Sequence, residues 1–215
     1  MLKVGLTGGI AAGKSVVGEM FVGLGAYLVQ ADNIAHRLMQ PGEAVYAAVV
    51  KHFGPGILNP DGTLNRARLA EAAFEPQGAT GNTRSRVEEL NRIVHPAVIQ
   101  RQEDWMEEVG RRDPQAIAIV EAALILEAGA GPRFDRLVVV TCRPEQRVQR
   151  WAGRIQVDEQ AARHEVMRRM AAQLPDEEKV KAADYVIDNS GSLDETRKQV
   201  QAVYTKLRAE ARKNA

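Results

Sequence analysis

The segment Gly8-Gly9-Ile10-Ala11-Ala12-Gly13-Lys14-Ser15 sets two glycines, a lysine and a hydroxyl at the spacing GxxxxGK[ST]. Each residue type answers a chemical need. Gly8 and Gly13 admit backbone angles that side chains disfavour, so successive N–H groups can turn inward onto phosphate oxygens, and a helix starting here adds the positive end of its dipole. Lys14 is expected to reach the β and γ phosphates, and the Ser15 hydroxyl to ligate Mg²⁺. This chemistry suits a nucleoside triphosphate but selects no reaction. A GTPase would usually add a base-reading NKxD, and the chain has no Asn-Lys pair; Asp188-Asn189-Ser190-Gly191 fits DxxG but falls too near the C-terminus to serve as a switch.

Further groups are candidates by position. Asp32 directly follows a predicted strand, where a carboxylate could accept the proton of an attacking hydroxyl or could cap the helix that starts at Asn33 or Ile34. Glu121 ends another predicted strand and could orient Mg²⁺ through water or lie solvated at the strand end. Seven arginines crowd between Arg143 and Arg169. Arg150 and Arg154 are four apart on one helix face, an arrangement that could bring guanidinium groups onto a transferring phosphoryl group. Most of the seven could equally form a solvated face paired with Glu145, Asp158, Glu159 and Glu165. Arg66 and His95 are open in the same way between ligand contact and structure.

Positioning these groups requires an α/β fold. Five apolar runs, Leu2 to Thr7, Tyr27 to Gln30, Ala116 to Val120, Leu137 to Thr141 and Tyr185 to Asp188, read as strands separated by helices. Consecutive apolar residues such as Leu137-Val138-Val139-Val140 suit a parallel sheet covered on both faces. The strands' C-terminal ends then form one rim, where ligands bind. The first helix begins near Gly13, buries Val16, Val17, Met20, Phe21 and Leu24, and stops at Gly25; the last presents Leu193, Thr196, Val200, Val203 and Leu207 to the sheet. Between Gln30 and Ala116 turn signals punctuate helical patterns without a strand run, which predicts an inserted helical subdomain. Within it, His95-Pro96 is expected to break or kink a helix, and Glu75 to Thr83 to form a flexible loop.

Composition sets bounds. The 215 residues, 45% hydrophobic and 27% charged, describe an ordinary soluble globular chain of one or two domains. With 29 Lys and Arg against 28 Asp and Glu the net charge is +1, so there is no basic excess for nonspecific nucleic-acid binding. The single cysteine, Cys142, excludes an internal disulfide and a thiolate zinc cluster and fits a cytoplasmic location. The N-terminal residues lack the apolar core of a signal peptide. The apolar stretch Ala116 to Leu126, interrupted by Glu121, is far shorter than the about 20 residues of a membrane span.

Taken together these residues resemble the dephospho-CoA kinase family, a branch of the P-loop nucleotide kinases. The resemblance runs from Leu6 to about Val200 and rests on ordered segments: the phosphate loop, Ala31-Asp32 with His36, Asp61-Gly62-Thr63-Leu64 with Arg66 and Leu69, Leu90-Asn91 with His95-Pro96, Arg150 and Arg154, Arg169 and Gln173, and Ala183 to Asn189 with Gly191. It departs at Ala11-Ala12, where the family usually reads Gly-Ser, at Val16 (usually Thr), at Ala123 (usually Pro) and at Arg147 (commonly Gln). The resemblance implies a P-loop kinase fold in which residues 1–31, 112–142 and 174–215 form a nucleotide-binding core, 32–111 a helical acceptor-binding insertion and 143–173 an arginine-rich lid. It implies phosphorylation of the ribose 3′-hydroxyl of dephospho-CoA with ATP and Mg²⁺, the last step of coenzyme A synthesis, with no nucleic acid, membrane or obligatory protein partner. Asp32, Lys14 and Arg150 would be catalytic. Gly8, Gly9, Ala11, Ala12, Gly13, Lys14, Ser15, Val16, Arg154 and Asn189 would bind the nucleotide. Asp32, Arg66, His95 and Glu127 would bind the acceptor, and Ser15 and Glu121 the metal. Another small-metabolite or nucleoside kinase, or a nucleotide-dependent switch acting on a macromolecule, would share the loop; dependence of ADP release on a small acceptor separates them.

Overall fold

Leu137, Val138, Val139 and Val140 are all buried, which an extended segment achieves only when both faces of its sheet are covered. The computed structural model, which describes residues 1–74 and 86–213, places them in such a sheet. Its strands are β1 (Leu2–Gly8), β2 (Tyr27–Gln30), β3 (Ile117–Glu121), β4 (Arg136–Thr141) and β5 (Tyr185–Asp188), in the order β2-β3-β1-β4-β5 and all parallel. The third strand is shifted by one residue from the expected run, so Glu121 lies inside it. The helices are α1 (Lys14–Gly23), α2 (Ala31–Leu38), α3 (Ala44–Phe53), α4 (Arg66–Phe74), α5 (Arg86–Arg112), α6 (Pro144–Ile155), α7 (Glu159–Ala171), α8 (Asp176–Ala182) and α9 (Leu193–Lys213). Among the described residues no helix is long and apolar enough to cross a membrane.

The chain divides into two compact units, Met1–Gln30 with Met106–Ala215, and Ala31–Trp105. In the first, Val17 and Phe21 of α1 and Val200, Val203 and Leu207 of α9 cover one sheet face, packing with Val4, Leu6, Ile119 and Val138. Burying a side chain of this size contributes about 1.5–3 kcal/mol, so this cluster is the principal support of the unit. Two expected members of the helical stripes are absent from it. Val16 is 41% exposed and Leu193 58% exposed, and the α9 stripe extends instead through Thr196 to Ala211. Gly25, at φ 101°, ends the α1 turn as expected.

The second unit is helical, apart from an isolated antiparallel bridge between Leu58 and Leu64. Between them the chain turns on Asp61, whose carboxylate accepts from the Thr63 N–H at 2.9 Å and the Thr63 hydroxyl at 2.6 Å, bonds that lower its pKa. Asn65 then accepts from the Arg68 N–H at 3.0 Å and caps α4. Of the break or kink expected at His95-Pro96, the break does not occur: α5 runs through Pro96 without interruption. Proline deprives the Arg92 carbonyl of its helical partner, but both residues are on the exposed side while Val94 and Val98 are buried. Water can serve that carbonyl, and the apolar anchors on either side hold the helix together. Glu75 to Thr83 lies outside the described residues.

Candidate active site

β1 delivers the chain into the glycine-rich segment and α1 takes it away. Gly13 adopts φ 97°, where side chains are strained, and a Cβ there would collide with the Asn189 amide nitrogen. At Gly8, φ 150°, a Cβ would collide with the Val140 carbonyl of the neighbouring strand. Ala11 takes a left-handed φ of 53° despite its methyl group, which packs against the cluster of Ile10, Val148, Trp151, Ala162 and Val166 and offsets part of that strain. No acid lies in the first turn of α1, so its positive end is not neutralised locally.

The loop is held from behind by side chains of its own unit. Asn189, 3% exposed, donates from Nδ2 to the Ala12 carbonyl at 2.9 Å, and its Oδ1 accepts from the Thr196 hydroxyl at 3.0 Å. Arg150 donates to the same Ala12 carbonyl at 3.2 Å and to the Asn189 carbonyl at 2.8 Å. The Ile10 N–H donates to Gln173 Oε1 at 3.3 Å. Lys14 Nζ donates to the Gly8 and Gly9 carbonyls at 3.0 and 3.2 Å, which keeps the ammonium at the mouth of the loop.

Register explains the carboxylate beside it. Glu121 pairs with Leu6 on one side and Gln30 on the other, so it reaches the rim next to the start of α1. The Ser15 hydroxyl donates to Glu121 Oε1 at 2.9 Å and the Gln30 amide to Oε2 at 3.0 Å. At 8% exposure Glu121 is a buried, bonded group, not a solvated charge at a strand end. A hydroxyl beside an oriented carboxylate is a hard oxygen set of the kind Mg²⁺ uses with one or two protein ligands and substrate phosphates. Among the described residues no group of three or more His, Cys, Asp and Glu forms a self-contained metal site.

The arginine-rich segment divides by environment. Arg163 pairs with Glu159 at 3.6 Å, and Arg168 and Arg169 both pair with Glu165, at 2.8 and 2.6 Å, drawing its carboxyl down to about 2. Those three fit the solvated face. Arg154 is exposed and lies 4.5 Å from the centroid of the buried Trp151 ring, with Arg169 4.7 Å from the same ring. Arg147 departs from the expected pairing, being fully buried and bonded to Asp176. Glu127 holds the buried Lys179 at 2.8 Å and accepts from the Leu174 N–H at 3.1 Å, which ties the segment after β3 to the approach to α8.

In the helical unit α2 starts directly at the end of β2, with Ala31 as its first residue, so Asp32 lies inside the first turn and exposed. Because α2 begins at Ala31, Asp32 is its second residue and not the residue preceding a helix that starts at Asn33 or Ile34, so the capping alternative is not realised. One turn later His36 bonds to Arg66 of α4, bringing two residues of separate sequence segments together. His95 is exposed on α5. Sequence reading missed Gln30, Thr196 and Asp176. Gln30 could have been found only by pairing β2 with β3 in register, since its type carries no signal.

A parallel sheet with β1 central, a phosphate loop leading into α1, and a hydroxyl–carboxylate pair beside it on the rim define a P-loop nucleotide-binding class. The sequence profile of dephospho-CoA kinase matches residues 2–195, and the chain belongs to that family. It is 43% identical to the dephospho-CoA kinase of Syntrophotalea carbinolica, covering 96% of this chain and 92% of the relative. To that of Aquifex aeolicus it is 39% identical, over 96% and 98%. Among solved structures, TT1252 from Thermus thermophilus superposes with a TM-score of 0.74 at 29% identity, covering 96% of this chain and 97% of the other.

Proposed function

We propose that this chain transfers the γ-phosphoryl group of ATP to the ribose 3′-hydroxyl of dephospho-CoA, giving CoA and ADP, the last step of coenzyme A synthesis. The observation that carries this reading is the Ser15–Glu121–Gln30 hydrogen-bonded array beside the phosphate loop, in a chain of this family. Phosphoryl transfer gains chiefly from positioning and from charge placed where charge develops. Lys14 supplies that charge at the β and γ phosphates, and Arg150 supplies it at the transferred group. Gly8, Gly9, Ala11, Ala12, Gly13, Lys14, Ser15 and Val16 line the phosphates, and Arg154 and Asn189 hold the rest of the nucleotide. Ser15 and Glu121 would hold Mg²⁺, which neutralises phosphate charge when bound. Asp32 accepts the proton of the 3′-hydroxyl, while Arg66, His95 and Glu127 hold the acceptor. Residues 1–31, 112–142 and 174–215 act as the nucleotide core, 32–111 as the acceptor insertion and 143–173 as a lid that excludes water on closure. The reaction needs no nucleic acid, membrane or second protein and suits the cytoplasm.

The Arg150 assignment has its own test. A guanidinium that stabilises the transferring group is spent mainly in the transition state, so Arg150→Ala is expected to slow single-turnover transfer about a hundredfold while weakening ATP binding far less. Rapid quench and nucleotide titration measure the two. Equal losses would reduce Arg150 to a brace for the Ala12 and Asn189 carbonyls that it already touches.

The acceptor assignment is tested by supplying ATP and Mg²⁺ with dephospho-CoA or with other hydroxyl-bearing metabolites. ADP release should require dephospho-CoA. Equal turnover with an unrelated acceptor would favour another metabolite kinase, and stimulation only by a macromolecule would favour a switch.

A further inference from the structure

Arg147 is the largest fully buried side chain among the described residues, at 1% exposure, and nothing in the transfer scheme uses it. Its guanidinium packs on Gly9 of the phosphate loop. A Cβ built on Gly9 would collide with one of its terminal nitrogens and lie 3.0 Å from Cζ, and 3.3 Å from Asp176 Oδ1. The same guanidinium bonds to Asp176, the first residue of α8, and donates to the Cys142 carbonyl at 3.4 Å. Arg147 Nε has no partner among the described residues.

The pair is unequal in its surroundings. The cation is out of water, whereas the Asp176 side chain is 33% exposed, so solvent screens the anion more than the cation. The residual field at Gly9 is therefore positive. A buried charge also costs free energy to desolvate, so a stability role alone is better met by an apolar side chain of similar volume.

We propose that Arg147 is a positioning residue of the phosphate loop. It supports Gly9 and adds a buried positive charge that strengthens binding of a polyphosphate, and Asp176 tempers that charge. This inference rests on the reading of the loop as a nucleotide site, which wild-type binding of Mg-ADP tests separately.

The test measures Mg-ADP affinity by calorimetry on wild type, Arg147→Gln and Asp176→Asn, with melting temperature recorded for each and the salt concentration varied. Arg147→Gln should weaken binding about tenfold. Asp176→Asn should tighten it about threefold at low salt, with the gain shrinking as salt rises. Both changes break the same ion pair, so a purely structural role predicts weaker binding in both. Opposite signs support the proposal; weakening in both, or no change in either, overturns it. Should Arg147→Gln fail to fold, the sign of the Asp176→Asn effect decides, tighter binding supporting the proposal and weaker or unchanged binding overturning it. Failure of wild type itself to bind Mg-ADP would instead overturn the nucleotide reading.

Discussion

Lys14→Ala is expected to remove nearly all phosphoryl transfer, by at least about a hundredfold, while the protein still folds. The lysine is a point charge held at the mouth of the loop by its bonds to the Gly8 and Gly9 carbonyls. Gly8 and Gly9 are buried, so leaving their carbonyls without this partner costs about 1–3 kcal/mol, which lowers the melting temperature but leaves the apolar core intact. No apolar core residue depends on the ammonium. During transfer, charge builds on the γ phosphate and its bridging oxygen, and a fixed donor there is commonly worth a factor of roughly 10² to 10³. Steady-state turnover together with a melting curve checks the result. Near wild-type turnover in a folded variant would remove the loop from the mechanism.

The second large effect belongs to Asp32. Its side chain is exposed in the first turn of α2, past the capping position, so Asp32→Asn takes away charge and basicity while keeping size and most of the shape. The folded protein loses only the favourable placement of a negative charge near a helix N-terminus, roughly 0.3–1 kcal/mol at low ionic strength and less at higher salt. A positioned general base contributes roughly 10² to 10⁴ in rate. Turnover should therefore collapse at every acceptor concentration while melting temperature and ATP affinity stay close to wild type. Turnover within a few-fold of wild type would mean that the hydroxyl is activated by another group.

Much of the fold is legible because its strongest signals are local. Leu137 to Val140 can be continuously apolar only in a strand covered on both faces, and Gly13-Lys14-Ser15 after β1 marks the start of α1. The less legible features depend on tertiary partners. Pro96 predicts a break or a kink, and the break is not seen because sequence shows the lost N–H but not the solvent-facing side on which it falls. Leu193 looks apolar enough to join the α9 stripe, yet the helix turns it outward at its first residue.

The candidate site divides in the same way. The loop residues announce themselves by spacing, and Arg150 by helical spacing from Arg154. Glu121 reads either as an acid that orients Mg²⁺ or as a solvated strand end until the register of β3 against β1 and β2 brings it to Ser15 and Gln30. Asn189, expected by resemblance among the nucleotide-binding residues, bonds through its side chain to the Ala12 carbonyl and the Thr196 hydroxyl, partners that its sequence position does not announce. Arg147 and Asp176, 29 positions apart, carry no common signal in the sequence.

The acceptor and the bond formed on it define the reaction. Incubation with dephospho-CoA and ATP labelled in the γ phosphate, followed by mass spectrometry and ³¹P NMR of the acceptor, tests it most directly. The expected result is one labelled phosphoryl group on the ribose 3′-oxygen, with ADP formed in equal amount. Label appearing only as inorganic phosphate, or on another acceptor while dephospho-CoA is left unmodified, would contradict the account.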